Sequence, residues 1–209
     1  MKIIVVTGKS GSGKTYVSNK LASALNCKAL DLDQVSHQTL TLDHTKEFVK
    51  TTFGDGVFIG ENIDTKALGK IAFSNPDLLE KLNDFCHQEM LKIIDNQIDE
   101  TTTEYIILDY LLLPQMKYFD TAHFKVLVKA DGHTRKTRII SRDGISPEYY
   151  DSRESNSIDF NENDFDFVLE NSSSSNIDEL ISQIKTAKIK KKYAKYIQKF
   201  KNLWYYTLV

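Results

Sequence analysis

Cysteine is nearly absent. Cys27 and Cys86 are the chain's 2 cysteines among 209 residues, and they lack paired metal-ligand spacing. A disulfide framework and a zinc cage are therefore excluded, and a reduced, cytoplasmic setting is expected. No apolar run approaches the ~20 residues needed to span a bilayer. The N-terminus enters strand-like sequence without the basic, apolar and small-residue series of a signal peptide. Net charge is only −2, so no global excess argues for nucleic acid or an anionic membrane as partner. Proline and arginine are scarce beside abundant lysine, asparagine and isoleucine, a bias that carries no mechanism by itself. The length suits one compact domain with insertions and leaves the oligomeric state open.

What is present begins with Gly8-Lys9-Ser10-Gly11-Ser12-Gly13-Lys14-Thr15, preceded by the apolar run Ile3-Ile4-Val5-Val6. Gly, four free positions, Gly, Lys and Ser or Thr is the phosphate-binding spacing, and its flanks read as strand, loop and helix. Gly8, Gly11 and Gly13 let backbone N–H groups wrap phosphate oxygens, and the helix that follows presents its positive end to the same anion. Lys14 reaches the β- and γ-phosphates and the Thr15 hydroxyl ligates Mg²⁺ in such a loop. A glycine-rich turn without ligand is the competing reading. Val17, Leu21 and Leu25 recur every four residues and place a helix against a sheet. A purine nucleoside triphosphate is the expected ligand, with Ser12 and Tyr16 beside the loop's glycines.

Residues Lys28 to Asp33 read as a second strand running out into acids. Ligands gather beyond the carboxyl ends of strands in open α/β sheets, which makes Asp31 and Asp33 candidates for chemistry; capping of the next helix is the alternative. From Gln34 to about Gln97 the pattern is helical. Phe53-Gly54-Asp55-Gly56 and Gly60-Glu61-Asn62 read as turns, and Asn75-Pro76 as a helix start. His87 lies in that long helix, as a substrate contact or as a packed or solvated side chain. Tyr105 to Asp109 reads as a buried parallel strand that carries the Asp109 carboxylate toward a metal, or that simply ends in a turn-forming Asp. Phe124 to Lys129 is a fourth strand, Phe165 to Leu169 a fifth.

The chain's arginines, Arg135, Arg138, Arg142 and Arg153, fall in one stretch. Guanidinium binds phosphate bidentately, so the group suits stabilisation of a transferring phosphoryl. Thr134 to Ser141 reads as a helix, and the polar text from Arg142 to Asp164 as a mobile lid; a solvated helix with surface ion pairs is the competing account. Glu170-Asn171 and the serines 172–175 lead into a final helix near Asn176. Lysines and aromatics mix from Lys185 onward. That mixture fits a helix laying its aromatics on the body, with RNA or a membrane surface as the less favoured partner.

These alternations predict an α/β protein with a parallel five-stranded sheet covered by helices on both faces. The Asn-Lys-x-Asp sequence of switch GTPases is missing. The chain resembles the dephospho-coenzyme A kinases over nearly its whole length, to about Ile184. The residues that carry the likeness start with Gly8 to Thr15, Asp31-Leu32-Asp33 with His37, Phe53-Gly54, and Ala67-Leu68-Gly69 with Phe73. They continue through Asn75-Pro76, Leu82 to His87, Leu111-Leu112, Arg138 with Arg142, and Phe167 to Asn171.

The resemblance implies a P-loop kinase with a core (about 1–32, 101–141, 165–209), a helical acceptor-binding insertion (about 33–100) and an Arg-rich lid (about 142–164). It implies transfer of the ATP γ-phosphate to the 3′-hydroxyl of dephospho-CoA with Mg²⁺, the last step of coenzyme A synthesis. Asp33 is then the base, Lys14 holds the migrating phosphate, and Arg138 with Arg142 balances charge from the lid. Asn171 borders adenine, and Asp31, His37 and His87 serve the acceptor. Departures from the family pattern are Thr65 in place of Arg, Gln88 in place of Pro, Tyr110 to Pro114 without the usual Pro and Glu positions, and Asn156 in place of Gln. Another small-metabolite or nucleoside kinase is the first alternative, and a non-catalytic nucleotide- or RNA-binding protein the second.

Overall fold

The computed structural model describes residues 1–155, 157–172 and 176–187. Asn156, the serines 173–175, the Arg153 side chain and the tail from 188 onward lie outside the described residues.

Five short strands build the sheet. β1 (Lys2–Thr7), β2 (Lys28–Asp31), β5 (Tyr105–Asp109), β6 (Phe124–Lys129) and β7 (Phe167–Glu170) lie in the order β2-β5-β1-β6-β7. Between them in sequence, β3 (Phe58–Ile59) and β4 (Asn62–Ile63) make a separate two-stranded antiparallel hairpin. The large sheet is parallel: Ile4 to Thr7 register with Phe124 to Leu127, and Val126 to Lys129 with Phe167 to Glu170. Every residue of β5 is buried, as are four of the six in β6. Burial without alternation is what a sheet covered by helices on both faces produces.

The chain divides into two compact units, residues 30–106 with Met1, and residues 2–29 with 107–209. The second holds β1, β6, β7 and the helices α1 (Lys14–Leu25), α6 (Lys117–Thr121), α7 (Gly132–Asp143) and α8 (Pro147–Glu154), followed by a helix over 177–187. Val17 and Leu21 of α1 are fully buried, as the four-residue spacing predicts. Asn26 ends α1 in the left-handed conformation (φ 49°) and gives its N–H to the Ala22 and Ser23 carbonyls, a helix stop that asparagine tolerates. Ile177, Leu180 and Ile184 are the buried face of the last helix.

The first unit holds α2 (Leu32–Thr39), α3 (Asp43–Phe53), α4 (Thr65–Ser74) and α5 (Pro76–Asp99). Val49, Val57 and Leu68 form its small core, with Phe48, Phe53, Phe58 and Leu82 packed on it, and Phe48 stacks on Phe85 at 4.0 Å. Asn75 caps α5 by accepting from the Asp77 and Leu78 N–H groups, with Pro76 in the first turn where its missing donor is harmless. Glu89 is a buried carboxylate here, 2.6 Å from Lys92 Nζ and 2.7 Å from His44 Nε2. The hydrogen bond from Lys92, and after it that of His44, holds its pKa below the ordinary carboxylate range against the opposing effect of burial.

Four boundaries differ from the sequence expectation. The second strand stops at Asp31 and not Asp33, because the Asp31 carboxylate accepts the N–H groups of Asp33 (3.0 Å) and Gln34 (3.3 Å) and so starts α2. The 53–63 stretch, read as turns alone, contains the hairpin, whose two-residue strands are too short to show a period. The fifth strand begins at Phe167; Phe165 instead packs edge-on against Phe119 and Phe160. Helix α7 runs on to Asp143, so Arg142 sits in a helix, and α8 gives part of the lid stretch the ion-paired helix that was the competing account.

Candidate active site

The glycine loop joins β1 to α1 within the second unit. A loop that binds an anion must turn its N–H groups inward, which requires that its carbonyls find donors on the outside. They do so one after another. The Lys9 carbonyl accepts from Ser12 N–H (3.1 Å), and the Gly13 carbonyl from Val17 N–H (3.1 Å). Arg135 Nη1 lies 3.5 Å from the Ser10 carbonyl. Arg138 Nη1 donates to the carbonyls of Gly11 (3.2 Å) and Ser12 (3.3 Å), and Asn171 Nδ2 adds a buried bond to Ser12 at 2.8 Å.

Glycine is required where neighbours press closest. Gly13 has φ 88°, and a Cβ there would collide with the Asn171 side-chain nitrogen; at Gly11 (φ 77°) it would lie 2.8 Å from the Arg135 carbonyl. Gly13 caps α1 without a side-chain bond. The helices α2, α4, α5 and α7 begin instead under Asp31, Asp64, Asn75 and Asp131. The first N–H groups of α1, with the positive end of its dipole, are thus left for an external anion.

Arg138 is the clip of the assembly. Its Nη2 also donates to the carbonyls of Asn171 (2.8 Å) and Ser172 (3.3 Å), tying the glycine loop to the loop after β7. Asn171 is 7% exposed, and its N–H donates to the Lys129 carbonyl at 2.7 Å. Arg142, predicted beside Arg138, is 67% exposed and lies on the carboxylate of its neighbour Asp143 at 2.6 Å. Lys14 opens α1 partly buried, with Thr15 and Tyr16 exposed after it. Asp109 is buried at the end of β5, and the Thr7 hydroxyl donates to the Leu111 carbonyl just beyond (3.0 Å).

Mg²⁺ prefers hard oxygen donors and keeps several waters, needing one or two protein groups and the nucleotide phosphates. The Thr15 hydroxyl and Asp109 carboxylate fit that donor set. Among the described residues no three His, Cys, Asp or Glu side chains form a metal cage, and Mg²⁺ bound with a nucleotide does not need one.

In the first unit, Asp31 is the helix cap described above, while Asp33 and His37, one turn apart on α2, are exposed. His87 is exposed on α5.

Sequence reasoning missed Lys9, Glu154 and the work of Arg135. Arg135 is 7% exposed and pairs with Glu154 through both terminal nitrogens (2.9 and 2.5 Å); Lys9 of the loop lies 3.7 Å from Glu154 and 2.6 Å from Asp159. The guanidinium holds the Glu154 pKa below its ordinary value, and Glu154 raises that of Arg135. The concentration of arginines was the available signal, but it does not name a partner.

A family model described as CoaE, dephospho-CoA kinase, matches residues 2–177. A dephospho-CoA kinase of Thermus thermophilus is 30% identical over 152 residues, 73% of this chain and 73% of the relative. One of Aquifex aeolicus is 31% identical over 190 residues, 88% of this chain and 95% of the relative. The crystal structure of TT1252 from Thermus thermophilus aligns with a TM-score of 0.73 at 27% identity, over 91% of this chain and 97% of that one.

Proposed function

The chain belongs to the dephospho-CoA kinase family, and from that premise we propose that it transfers the γ-phosphoryl group of ATP to the 3′-hydroxyl of dephospho-CoA, in the cytoplasm. The observation that carries the donor half is the run of carbonyls from Lys9 to Gly13, each engaged by a protein donor. Such a loop has its N–H groups ready for phosphate before any ligand arrives, so little reorganisation opposes binding.

In the reaction, the hydroxyl oxygen forms a bond to the γ-phosphorus, the bond to the bridging oxygen of ADP breaks, and the hydroxyl proton passes to a carboxylate. Asp33 is the residue we assign to that proton. It sits in the first turn of α2, after the carboxyl end of β2 in a parallel sheet, and it is exposed where a reacting group must be. Lys14 holds the β- and γ-phosphate oxygens. Thr15 and Asp109 would hold Mg²⁺, which would supply charge neutralisation on the phosphates. Arg138 keeps the glycine loop and the Asn171 loop, where adenine is placed, in one register. Arg142 can leave Asp143, a surface partner of little worth, for the transferring group. Asp31, His37 and His87 are assigned to the acceptor side, with 33–100 as the acceptor-binding insertion and 142–164 as the lid. No helix among the described residues is long and apolar enough to cross a membrane.

ADP release, followed by a coupled assay with dephospho-CoA and beside a no-acceptor control, tests the reading. Release that depends on dephospho-CoA is expected. Turnover of adenosine or deoxynucleosides with dephospho-CoA ignored would assign a different acceptor.

A further inference from the structure

Glu154 binds more partners than any surface ion pair requires, and the transfer chemistry uses none of them. Its carboxylate takes both terminal nitrogens of Arg135, the Tyr150 hydroxyl at 3.4 Å and the Ser157 hydroxyl at 3.3 Å. Lys9 Nζ stands 3.7 Å from the same carboxylate. Two of these contacts lead to the glycine loop. Lys9 is a loop residue, and Arg135 reaches the Ser10 carbonyl while its own backbone backs onto Gly11. Arg135 is nearly fully buried, and a buried guanidinium keeps its place only while paired. Removing the Glu154 charge therefore frees the Arg135 fork that backs residues 10–11, while Lys9 keeps Asp159 at 2.6 Å.

We propose that Glu154 is a positioning residue of the nucleotide site: through the Arg135 fork it fixes the outer half of the glycine loop in its phosphate-ready form, without touching the ligand. The inference rests on the reading of that loop as the ATP site. It differs from a plain α7 to α8 structural tie in predicting a change in nucleotide affinity, and not only in thermal stability.

The test is calorimetric titration of the full chain with Mg·ATP and no acceptor, well below the unfolding temperature. Loss of a charge-assisted bidentate pair predicts that Glu154→Gln binds Mg·ATP about tenfold more weakly at unchanged stoichiometry. Arg135→Lys, which keeps the charge and loses the fork, is expected to match it. Wild-type affinity in Glu154→Gln overturns the proposal, as does a lowered unfolding temperature with affinity unchanged. Where Glu154→Gln does not fold, Arg135→Lys decides by the same readout. Failure of the wild-type protein to bind Mg·ATP removes the ATP site itself, an outcome distinct from equal binding by wild type and variant.

Discussion

The contact between Gly13 and Asn171 lends itself to a double-mutant cycle whose sign is fixed beforehand. Asn171→Ala removes the 2.8 Å bond to the Ser12 carbonyl but leaves that carbonyl Arg138 at 3.3 Å. The loss falls at the low end for a buried acceptor, about 1 kcal/mol. Gly13→Ala places a residue with Cβ at φ 88°, which costs ~1–2 kcal/mol of left-handed strain. In the wild-type background its methyl also drives the Asn171 amide off Ser12, adding about the same 1 kcal/mol. With Asn171 already Ala, only the strain remains. The double variant is therefore expected to be more stable than additivity predicts by about 1 kcal/mol. For a domain of this size that corresponds to ~2–4 °C in unfolding temperature. Thermal unfolding of the four proteins measures it. Additivity to within ~0.3–0.5 kcal/mol would refute the claim that these two residues compete for one space.

Other expectations can be checked on the same protein. Asp33→Asn should lower turnover by ~10²–10⁴ with Mg·ATP binding retained, as loss of a general base does; turnover near wild type would remove Asp33 from that role. Lys14→Ala should weaken Mg·ATP binding and slow turnover together, which titration and single-turnover rates separate. Burial pushes the Cys27 thiol up to about 11, so its alkylation at neutral pH should be slower than in urea by roughly 10², followed by mass spectrometry of the modified peptide. Glu89 has a lowered pKa, so its pairing contributes above the ordinary carboxylate range and is lost as pH falls through the depressed folded value. The partners His44 and Lys92 are mostly exposed, and Glu89→Leu frees no buried charge. It should unfold within a few degrees of wild type at pH 7 and lose less stability on acidification.

The large sheet was readable because its strands are buried on both faces, so Ile3 to Val6 and Tyr105 to Leu108 stand out as unbroken apolar runs, and Phe124 to Val128 as one interrupted by Lys125 alone. Helices with one buried stripe were equally plain, as Val17 and Leu21 show. What failed were places where a side chain, and not periodicity, sets the boundary. Asp31 looks like strand in the sequence and acts as the cap that ends it. Helix α8 leaves no apolar stripe at all: Tyr150 is 5% exposed, and most of what anchors the helix is polar, with Lys136 on Asp151 and Arg135 on Glu154.

The same distinction explains the arginines. Arg138 and Arg142 are one turn apart on α7, chemically identical, and the sequence offers no reason to give them different work. Their surroundings do. Arg138 faces carbonyls from two loops that are 159 residues apart at Ser12 and Asn171, and a planar fork with several donors is the side chain able to serve both at once. Its charge is thereby committed to backbone dipoles before any nucleotide arrives. Arg142, one turn on, is 67% exposed and pairs with the Asp143 carboxylate. A loop made ready by carbonyl partners needs an arginine whose donors stay with those carbonyls.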